Sequence, residues 1–96
     1  MPKPTPRHNV TNFREIPNVG PATVGDFEAL GLRSPSDLVG KNPYQLYEKL
    51  CRVTGHRHDP CAIDVFIAAV RYMEGGPKKP WWHFTKERKR VLAKQA

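Results

Sequence analysis

The sequence predicts an all-α domain, and three observations support this prediction. Apolar residues recur at three- and four-residue spacing in several segments, which is the period of a helix with one buried face. Most of these segments start at a capping residue next to proline and stop at glycine, the usual boundary signals of helices. No segment alternates apolar and polar residues in the way that a half-buried strand does. With 96 residues, the chain is long enough for one domain with a modest core.

The first two predicted helices flank a break in the chain. Thr11 is an acceptable N-cap for a short helix that ends at Ile16. Residues 17–20, Pro-Asn-Val-Gly, then interrupt the helical pattern. Pro21 suits the first turn of the next helix, because the amide that it lacks would have no partner there. That helix runs to Leu30 and is followed by a glycine.

The later helices repeat the same boundary signals. Residues 34–39 form a short connector helix with serine as N-cap and aspartate at the third helical position. Residues 43–54 carry one apolar face and end at a glycine. Residues 60–74 are apolar nearly all round, which indicates the central buried helix of a small helical domain. Residues 86–94 suit a further short helix with little apolar face.

Positive charge is concentrated at the two ends of the chain. The formal net charge is +7, but residues 13–76 contain seven basic and eight acidic residues. Residues 77–96 contain seven basic residues and one acidic residue, so a surface that attracts phosphate would lie mainly there. We divide the chain into a flexible tail (1–10), a helical domain (11–76) and an aromatic and basic C-terminal segment (77–96).

The composition excludes several classes of protein. The longest apolar run, residues 65–70, is far shorter than a membrane span of about 20 residues. The first six residues, Met-Pro-Lys-Pro-Thr-Pro, lack the apolar region of a secretory signal. Two cysteines cannot build a disulfide framework, so a reducing compartment is the default. We expect a cytoplasmic protein without a membrane partner.

Residues 16–24, Ile-Pro-Asn-Val-Gly-Pro-Ala-Thr-Val, resemble the hairpin of a helix-hairpin-helix motif. In that motif glycine allows a turn with positive φ and lets a DNA phosphate approach the backbone amides of the next helix. Gly20 matches the second glycine of the motif, Asn18 replaces the first, and the usual basic residue after the second glycine is absent. Asparagine also accepts a left-handed turn, although its side chain crowds an approaching phosphate. The sequence therefore predicts that Asn18→Gly tightens DNA binding.

The order of the predicted helices resembles a tandem helix-hairpin-helix domain, a SAM-like fold of five helices, here with a basic C-terminal extension. In such domains two hairpins related by a pseudo-twofold axis contact both strands of a duplex. The second hairpin would be residues 55–59, Gly-His-Arg-His-Asp, which have one glycine only.

Residues 13–84 further resemble the small pathogenicity-locus family, some members of which are labelled mitomycin-resistance proteins. That label implies a role in DNA damage. The residues that carry the likeness are Leu30-Gly31-Leu32-Arg33-Ser34, Asp37-Leu38, Leu46-Tyr47, Leu50-Cys51, Asp59 with Cys61, Ala69-Val70-Arg71-Tyr72 and Trp81-Trp82.

We therefore predict a non-enzymatic module that binds the DNA backbone, duplex or single-stranded, without sequence preference. The predicted hairpin contacts are Asn18, Val19, Gly20, Ala22, Gly55 and Arg57, and the predicted electrostatic strip comprises Lys78, Lys79, Lys86, Arg88, Lys89 and Arg90. The alternative is a protein-interaction scaffold that has kept the helical fold and lost the phosphate contacts. The near-neutral charge of residues 13–76 and the absent hairpin lysine favour that alternative.

Two cysteines and two histidines lie within eleven positions, namely Cys51, His56, His58 and Cys61. These residue types can hold zinc as a tetrahedral set, and a reversible disulfide between the two cysteines is a second option. The spacing is not that of a standard zinc finger, and Cys51 lies on the apolar face of its helix. We therefore expect packed thiols, no metal and no cofactor, with a zinc or thiol sensor as the lesser alternative.

Cys61 also has some of the neighbours that a nucleophilic cysteine needs. It lies near a helix N-terminus, where the helix dipole favours a thiolate, and His58 and Asp59 are close in sequence. No glycine-rich oxyanion loop or second acid adjoins it. We therefore expect no enzyme activity.

The segment Trp81-Trp82-His83-Phe84 stands next to a lysine-rich run. Aromatic side chains beside cations could stack on exposed bases, as they do in single-strand binders. A helical unit this small needs further apolar cover for its core. We therefore expect one or both tryptophans to fold back over the core.

Overall fold

Residues 6–95, the part of the chain that the computed structural model describes, form four α-helices and three short 3-10 helices, with no strand. The α-helices are α1 (Pro21–Ala29), α2 (Pro43–Thr54), α3 (Cys61–Met73) and α4 (Thr85–Gln95). The 3-10 helices are Phe13–Glu15, Pro35–Leu38 and Trp81–Phe84. The prediction of an all-α protein is confirmed. The predicted count of five helices before the C-terminal extension is wrong, because two of those five are single 3-10 turns, too short to continue an α-helical hydrogen-bond ladder.

The helix starts follow the predicted capping signals, with one shift. The side chain of Asn42 accepts hydrogen bonds from the amides of Tyr44 at 2.9 Å and Gln45 at 3.3 Å. The N-cap of the first 3-10 helix is Asn12 and not Thr11, because the Asn12 side chain accepts from the amide of Arg14 at 2.8 Å. An asparagine at this position satisfies an amide that has no partner inside the helix.

The centre of the core is α3. It packs against α2, α4 and the two 3-10 helices Pro35–Leu38 and Trp81–Phe84. The ring of Phe66 lies 5.6 Å from the ring of Phe27, which in turn lies 5.0 Å from that of Phe13. Each such buried side chain contributes roughly 1.5–3 kcal/mol. The other apolar side chains of α3 that are buried are Ile63, Ile67, Ala68, Ala69, Val70 and Met73.

Residues 6–10, which the sequence assigns to a flexible tail, contact the end of α3. Arg7 donates from Nε to the carbonyl of Tyr72 and from Nη2 to that of Gly76, each at 2.8 Å. Its guanidinium also lies 4.1 Å from the centre of the Tyr72 ring, and Val10 is buried in the core. The segment is therefore attached by a cation–π contact and hydrogen bonds that its sequence does not reveal. Residues 1–5 of the predicted tail lie outside the described part of the chain.

The C-terminal segment is part of the same folded unit. Phe84 is buried, and Leu92 of α4 packs against the core. Asp64 of α3 is fully buried and accepts hydrogen bonds from Thr85 Oγ1 at 2.7 Å and from Arg88 Nε at 3.0 Å. Although α4 has little apolar face, these charged and polar contacts fasten its first turns to α3.

The longest helix of the described chain, α3, has 13 residues, whereas a membrane-crossing helix needs about 20. Among residues 6–95, no helix combines the length and the apolar character needed to cross a membrane.

Candidate nucleic-acid interface

The turn that precedes α1 is anchored by two buried apolar side chains, those of Ile16 and Val19. The amide of Val19 donates to the carbonyl of Ile16 at 3.2 Å. Asn18, between them, has a φ of +73°, which confirms the predicted left-handed turn at this position. The Val19 amide, predicted to face a phosphate, is instead hydrogen-bonded inside the turn, so Val19 shapes the site and does not offer a donor.

The first turn of α1 has amides that no side chain caps. Gly20 is the N-cap, with φ −105° and ψ −175°. This extended conformation is open to any residue and does not require glycine. A Cβ at Gly20 would meet no atom within 4 Å, so this face of the turn is open. Within residues 6–95, the amides of Gly20, Ala22 and Thr23 have no hydrogen-bond partner. Because a helix N-terminus carries partial positive charge, these amides can donate to an anion.

The side chain of Asn18 ties this turn to the C-terminal segment. Its Nδ2 donates to the carbonyl of Lys79 at 2.8 Å, and its Oδ1 accepts from the amide of Trp81 at 3.3 Å. Lys78 and Lys79, both exposed, share with Pro17, Asn18 and Pro80 the lining of a depression of about 480 Å³. Two lysines from a distant part of the chain therefore flank the turn whose own sequence lacks a basic residue.

The turn between α2 and α3 is built differently. Gly55 ends α2 with a φ of +77°, and its amide donates to the carbonyl of Cys51 at 3.0 Å. Asp59 Oδ1 accepts a hydrogen bond from the amide of Cys61 at 2.8 Å, and this bond lowers the pKa of the Asp59 carboxyl. A carboxylate thus occupies the N-terminus of α3, where it would repel a phosphate. The predicted contact at Gly55 is not available, since its amide closes the end of α2.

Arg57 is the exposed cation of this second turn. Its guanidinium lies 3.5 Å from a carboxylate oxygen of Glu48 and 5.9 Å from the centre of the Tyr47 ring. Both members of the ion pair are solvent-exposed, and such pairs contribute about 0–1 kcal/mol. The contact with Glu48 is therefore weak enough to exchange for a contact with another anion.

The predicted electrostatic strip on α4 is shorter than the sequence suggests. Lys86, Lys89 and Arg90 are exposed. The side chain of Arg88 is 11% exposed and forms an ion pair at 3.0 Å with Asp64. The hydrogen bond that Arg88 donates to this carboxylate raises the pKa of Arg88. Arg88 therefore fastens α4 to α3 and is not part of the cationic surface.

The cysteine and histidine side chains do not form a metal centre in residues 6–95, where no group of three or more His, Cys, Asp or Glu side chains is placed to hold an ion. Cys51 is buried, and its Sγ accepts a hydrogen bond from the amide of His58 at 3.5 Å. His58 Nε2 lies 2.8 Å from Thr54 Oγ1, and the rings of His56 and His58 have their centres 4.3 Å apart. Both cysteines are free thiols.

Cys61 is half-buried at the start of α3. The neighbouring carboxylate of Asp59 raises the pKa of the Cys61 thiol. The expectation of a favoured thiolate is therefore not met at Cys61, because the Asp59 carboxylate disfavours the charged form of the thiol.

The aromatic segment divides its side chains between the core and the solvent. Phe84 is buried, Trp81 is half-buried, and Trp82 is 63% exposed. The sequence assigns the covering of the core to the tryptophans, but Phe84 is the aromatic residue of this segment that enters it. Trp82 points away from that contact and remains accessible.

Sequence reasoning missed the long-range bonds of Asn18, a predicted hairpin contact, and missed Asp64 altogether. The partners of Asn18 lie 61 and 63 residues away, so no local pattern marks it as more than a turn residue. Asp64 did carry a signal, since a lone carboxylate among the apolar residues of a central helix requires a buried cationic partner.

Comparison with known proteins gives the chain a family context. A family described as "Pathogenicity locus" matches residues 6–90. Mitomycin resistance protein McrB of Streptomyces lavendulae is 43% identical over 83 residues, which make up 86% of this chain and 79% of that protein. No solved structure matches the chain.

Proposed function

The chain belongs to the pathogenicity-locus family, and from this premise we propose that it is a non-enzymatic module that binds the DNA backbone without sequence preference. The turn before α1 acts as a helix-hairpin-helix element, and the turn between α2 and α3 is its degenerate counterpart in a tandem arrangement. The name of the Streptomyces lavendulae relative, a mitomycin resistance protein, supports a role of this binding in resistance to mitomycin, and we propose that this role is part of a response to DNA damage.

One observation carries the proposal, namely the position of Lys78 and Lys79 beside the turn that precedes α1. Asn18 holds the backbone of this lysine pair through its bond to the carbonyl of Lys79 at 2.8 Å. The turn supplies uncapped amides and the helix dipole, and the lysines supply the full charges. Together they form the combination of donors that contacts a phosphate without reading a base.

The second turn adds less to binding than the first. The carboxylate of Asp59 caps α3, so this helix end offers no unopposed amide to a phosphate. Arg57 remains available to a phosphate, as do Lys86, Lys89 and Arg90 on α4, because all four side chains are exposed. We therefore propose that one turn makes the close backbone contact and that the dispersed cations add long-range attraction, which salt screens.

The proposal is tested by removing the lysine pair and measuring the salt dependence of duplex binding. Fluorescence anisotropy of the Lys78→Gln/Lys79→Gln variant should give a slope of log K against log salt that is lower by about 1.8, at about 0.9 per phosphate contact. The control, Lys41→Gln/Arg52→Gln, removes the same charge from exposed positions before and on α2 and should alter the slope less. Equal changes in the two variants would contradict a localised contact.

A protein-interaction scaffold is the second candidate function. It is favoured by the anionic cap of Asp59 at the second turn and by the near balance of acidic and basic residues in residues 13–76. A wild-type protein that binds neither duplex nor single-stranded DNA at low salt would favour this candidate over the first.

A further inference from the structure

Trp82 is the most exposed of the large apolar side chains in residues 6–95. It is 63% exposed, against 53% for Val53 and 37% for Val39. Isolated exposed apolar residues are common on protein surfaces and need no explanation by themselves. What distinguishes Trp82 is the support of its backbone and the charge around it.

The backbone on both sides of Trp82 is held in place. The amide of Trp81 donates to Asn18 Oδ1 at 3.3 Å, and the amide of His83 donates to the carbonyl of Pro80 at 3.0 Å. Phe84, two residues further on, is buried. The indoles of Trp81 and Trp82 meet edge to face, with ring centres 5.7 Å apart. The exposed ring is therefore presented by a supported segment, which reduces the entropy lost when it binds.

Basic residues lie on both sides of Trp82 in the sequence. Lys78 and Lys79 precede it, beside the turn before α1. Helix α4 begins at Thr85, directly after the 3-10 helix that contains Trp82. The exposed residues Lys86 and Lys89 therefore lie in the first two turns of α4, four and seven residues after Trp82.

Three other side chains of the same segment turn inward. Phe84 enters the core, and Thr85 and Arg88 both bond to Asp64. Trp82, Lys86 and Lys89 are thus exposed within one stretch of about 12 Å, at about 2.0 Å per 3-10 residue and about 1.5 Å per α-helical residue. An aromatic surface flanked by cations fits a nucleic acid in which a base face is free next to its phosphates.

We propose that Trp82 stacks on an unpaired nucleobase, so that the module prefers DNA with exposed bases, such as single strands and gaps, over intact duplex. This inference rests on the DNA-backbone binding proposed above and names the substrate class of that surface. In an intact duplex each internal base is stacked on both faces, so the indole has no partner there. Loss of one base–aromatic stack weakens binding by about 5- to 150-fold.

The test compares Trp82→Ala with Val53→Ala, which removes a similarly exposed apolar side chain from α2. The affinities of each variant for an oligothymidylate and for a duplex of equal length are measured at one low salt concentration. Trp82→Ala should bind the oligothymidylate at least about fivefold more weakly, with its duplex affinity nearly unchanged. Trp82→Phe should retain most of the affinity, and Val53→Ala should match the wild type on both ligands. In a Trp81→Phe variant, the fluorescence of Trp82 should be quenched by the oligothymidylate.

The outcomes separate this inference from the proposed function. If the wild type binds duplex in a salt-dependent way and Trp82→Ala leaves oligothymidylate binding unchanged, the stacking role is overturned and backbone binding stands. Equal losses on both ligands would also overturn it, because they indicate a structural role for the indole. A wild-type protein that binds neither ligand overturns both proposals and favours a protein partner for this surface.

Discussion

Replacing Arg88 by methionine would leave the carboxylate of Asp64 buried without its cation. Asp64 has no solvent exposure, and the side chain of Arg88 is 11% exposed. The pair is joined at 3.0 Å through Nε and at 3.4 Å through Nη2. Methionine preserves much of the length and apolar volume of the arginine stem, so the main change is the loss of the charge and its donors.

The expected loss of stability follows from this burial. Removing one member of a buried ion pair costs about 3–5 kcal/mol. Asp64 keeps the hydrogen bond from Thr85 at 2.7 Å, so the lower end, about 3 kcal/mol, applies. A chain of this length has roughly 5–14 kcal/mol of stability in total. At about 4–8 °C per kcal/mol, the melting temperature should fall by about 12–24 °C.

Circular dichroism during thermal and urea unfolding measures this change, with two further variants for comparison. Arg90→Met alters an exposed arginine of the same helix and should change stability by less than about 0.5 kcal/mol. The double variant Asp64→Asn/Arg88→Met also removes the unpaired carboxylate charge and should recover at least half of the lost stability. A loss below about 1 kcal/mol in Arg88→Met, or a double variant no more stable than the single one, would refute the ion-pair argument.

Three further predictions concern the turn, the thiols and a helix cap. Asn18→Gly should change the melting temperature little, because relief of about 1–2 kcal/mol of left-handed strain offsets two exposed hydrogen bonds. Hydrogen exchange at residues 79–82 should nevertheless accelerate. DNA binding by this variant should weaken, whereas the sequence predicts that it tightens. Tighter binding would show that the Asn18 side chain only crowds the site. Asp59→Asn should accelerate alkylation of Cys61 at a given pH, because it removes the interaction that raises the pKa of this thiol. Mass spectrometry identifies the modified cysteine, and modification of the buried Cys51 before Cys61 would contradict this explanation. The pKa of Asp37 is lowered by bonds from the amides of Arg33 and Ser34, so its stabilisation is present above the unfolded-state pKa of about 3.9 and is lost as the pH falls through the lower folded-state value. The urea midpoint of Asp37→Asn should therefore approach that of the wild type in acid, and a difference independent of pH would exclude this capping role.

Much of the fold could be predicted because its boundaries are set locally. Asn42 and the Ser34–Asp37 pair act through amides two to four residues away, and Gly55 ends α2 by its own conformation. The errors arose where two local signals competed or a segment was short. Thr11 and Asn12 are both acceptable caps, and it is the Asn12 side chain that accepts from the amide of Arg14. The 3-10 turns lie below the length at which periodicity distinguishes helix types.

The candidate site was harder to predict because long-range contacts assemble it. The bond between Asn18 and Lys79 spans 61 residues, and the one between Asp64 and Arg88 spans 24. Charge counting placed Arg88 in the cationic strip, since composition does not distinguish an arginine that neutralises a buried carboxylate from one that faces solvent. For the same reason, the absence of a basic residue in the hairpin sequence did not reveal that Lys78 and Lys79 flank it.

The most direct test of the central claim is an amide chemical-shift titration of the ¹⁵N-labelled protein with a short DNA duplex at low salt. The largest shifts should occur at Gly20, Ala22 and Thr23 and at Lys78 and Lys79, while the amides of residues 55–59 and of Cys61 move little. Raising the salt concentration should reverse these shifts together. Shifts that are largest at residues 55–61, or absent from residues 20–23, would contradict a phosphate contact at the N-terminus of α1.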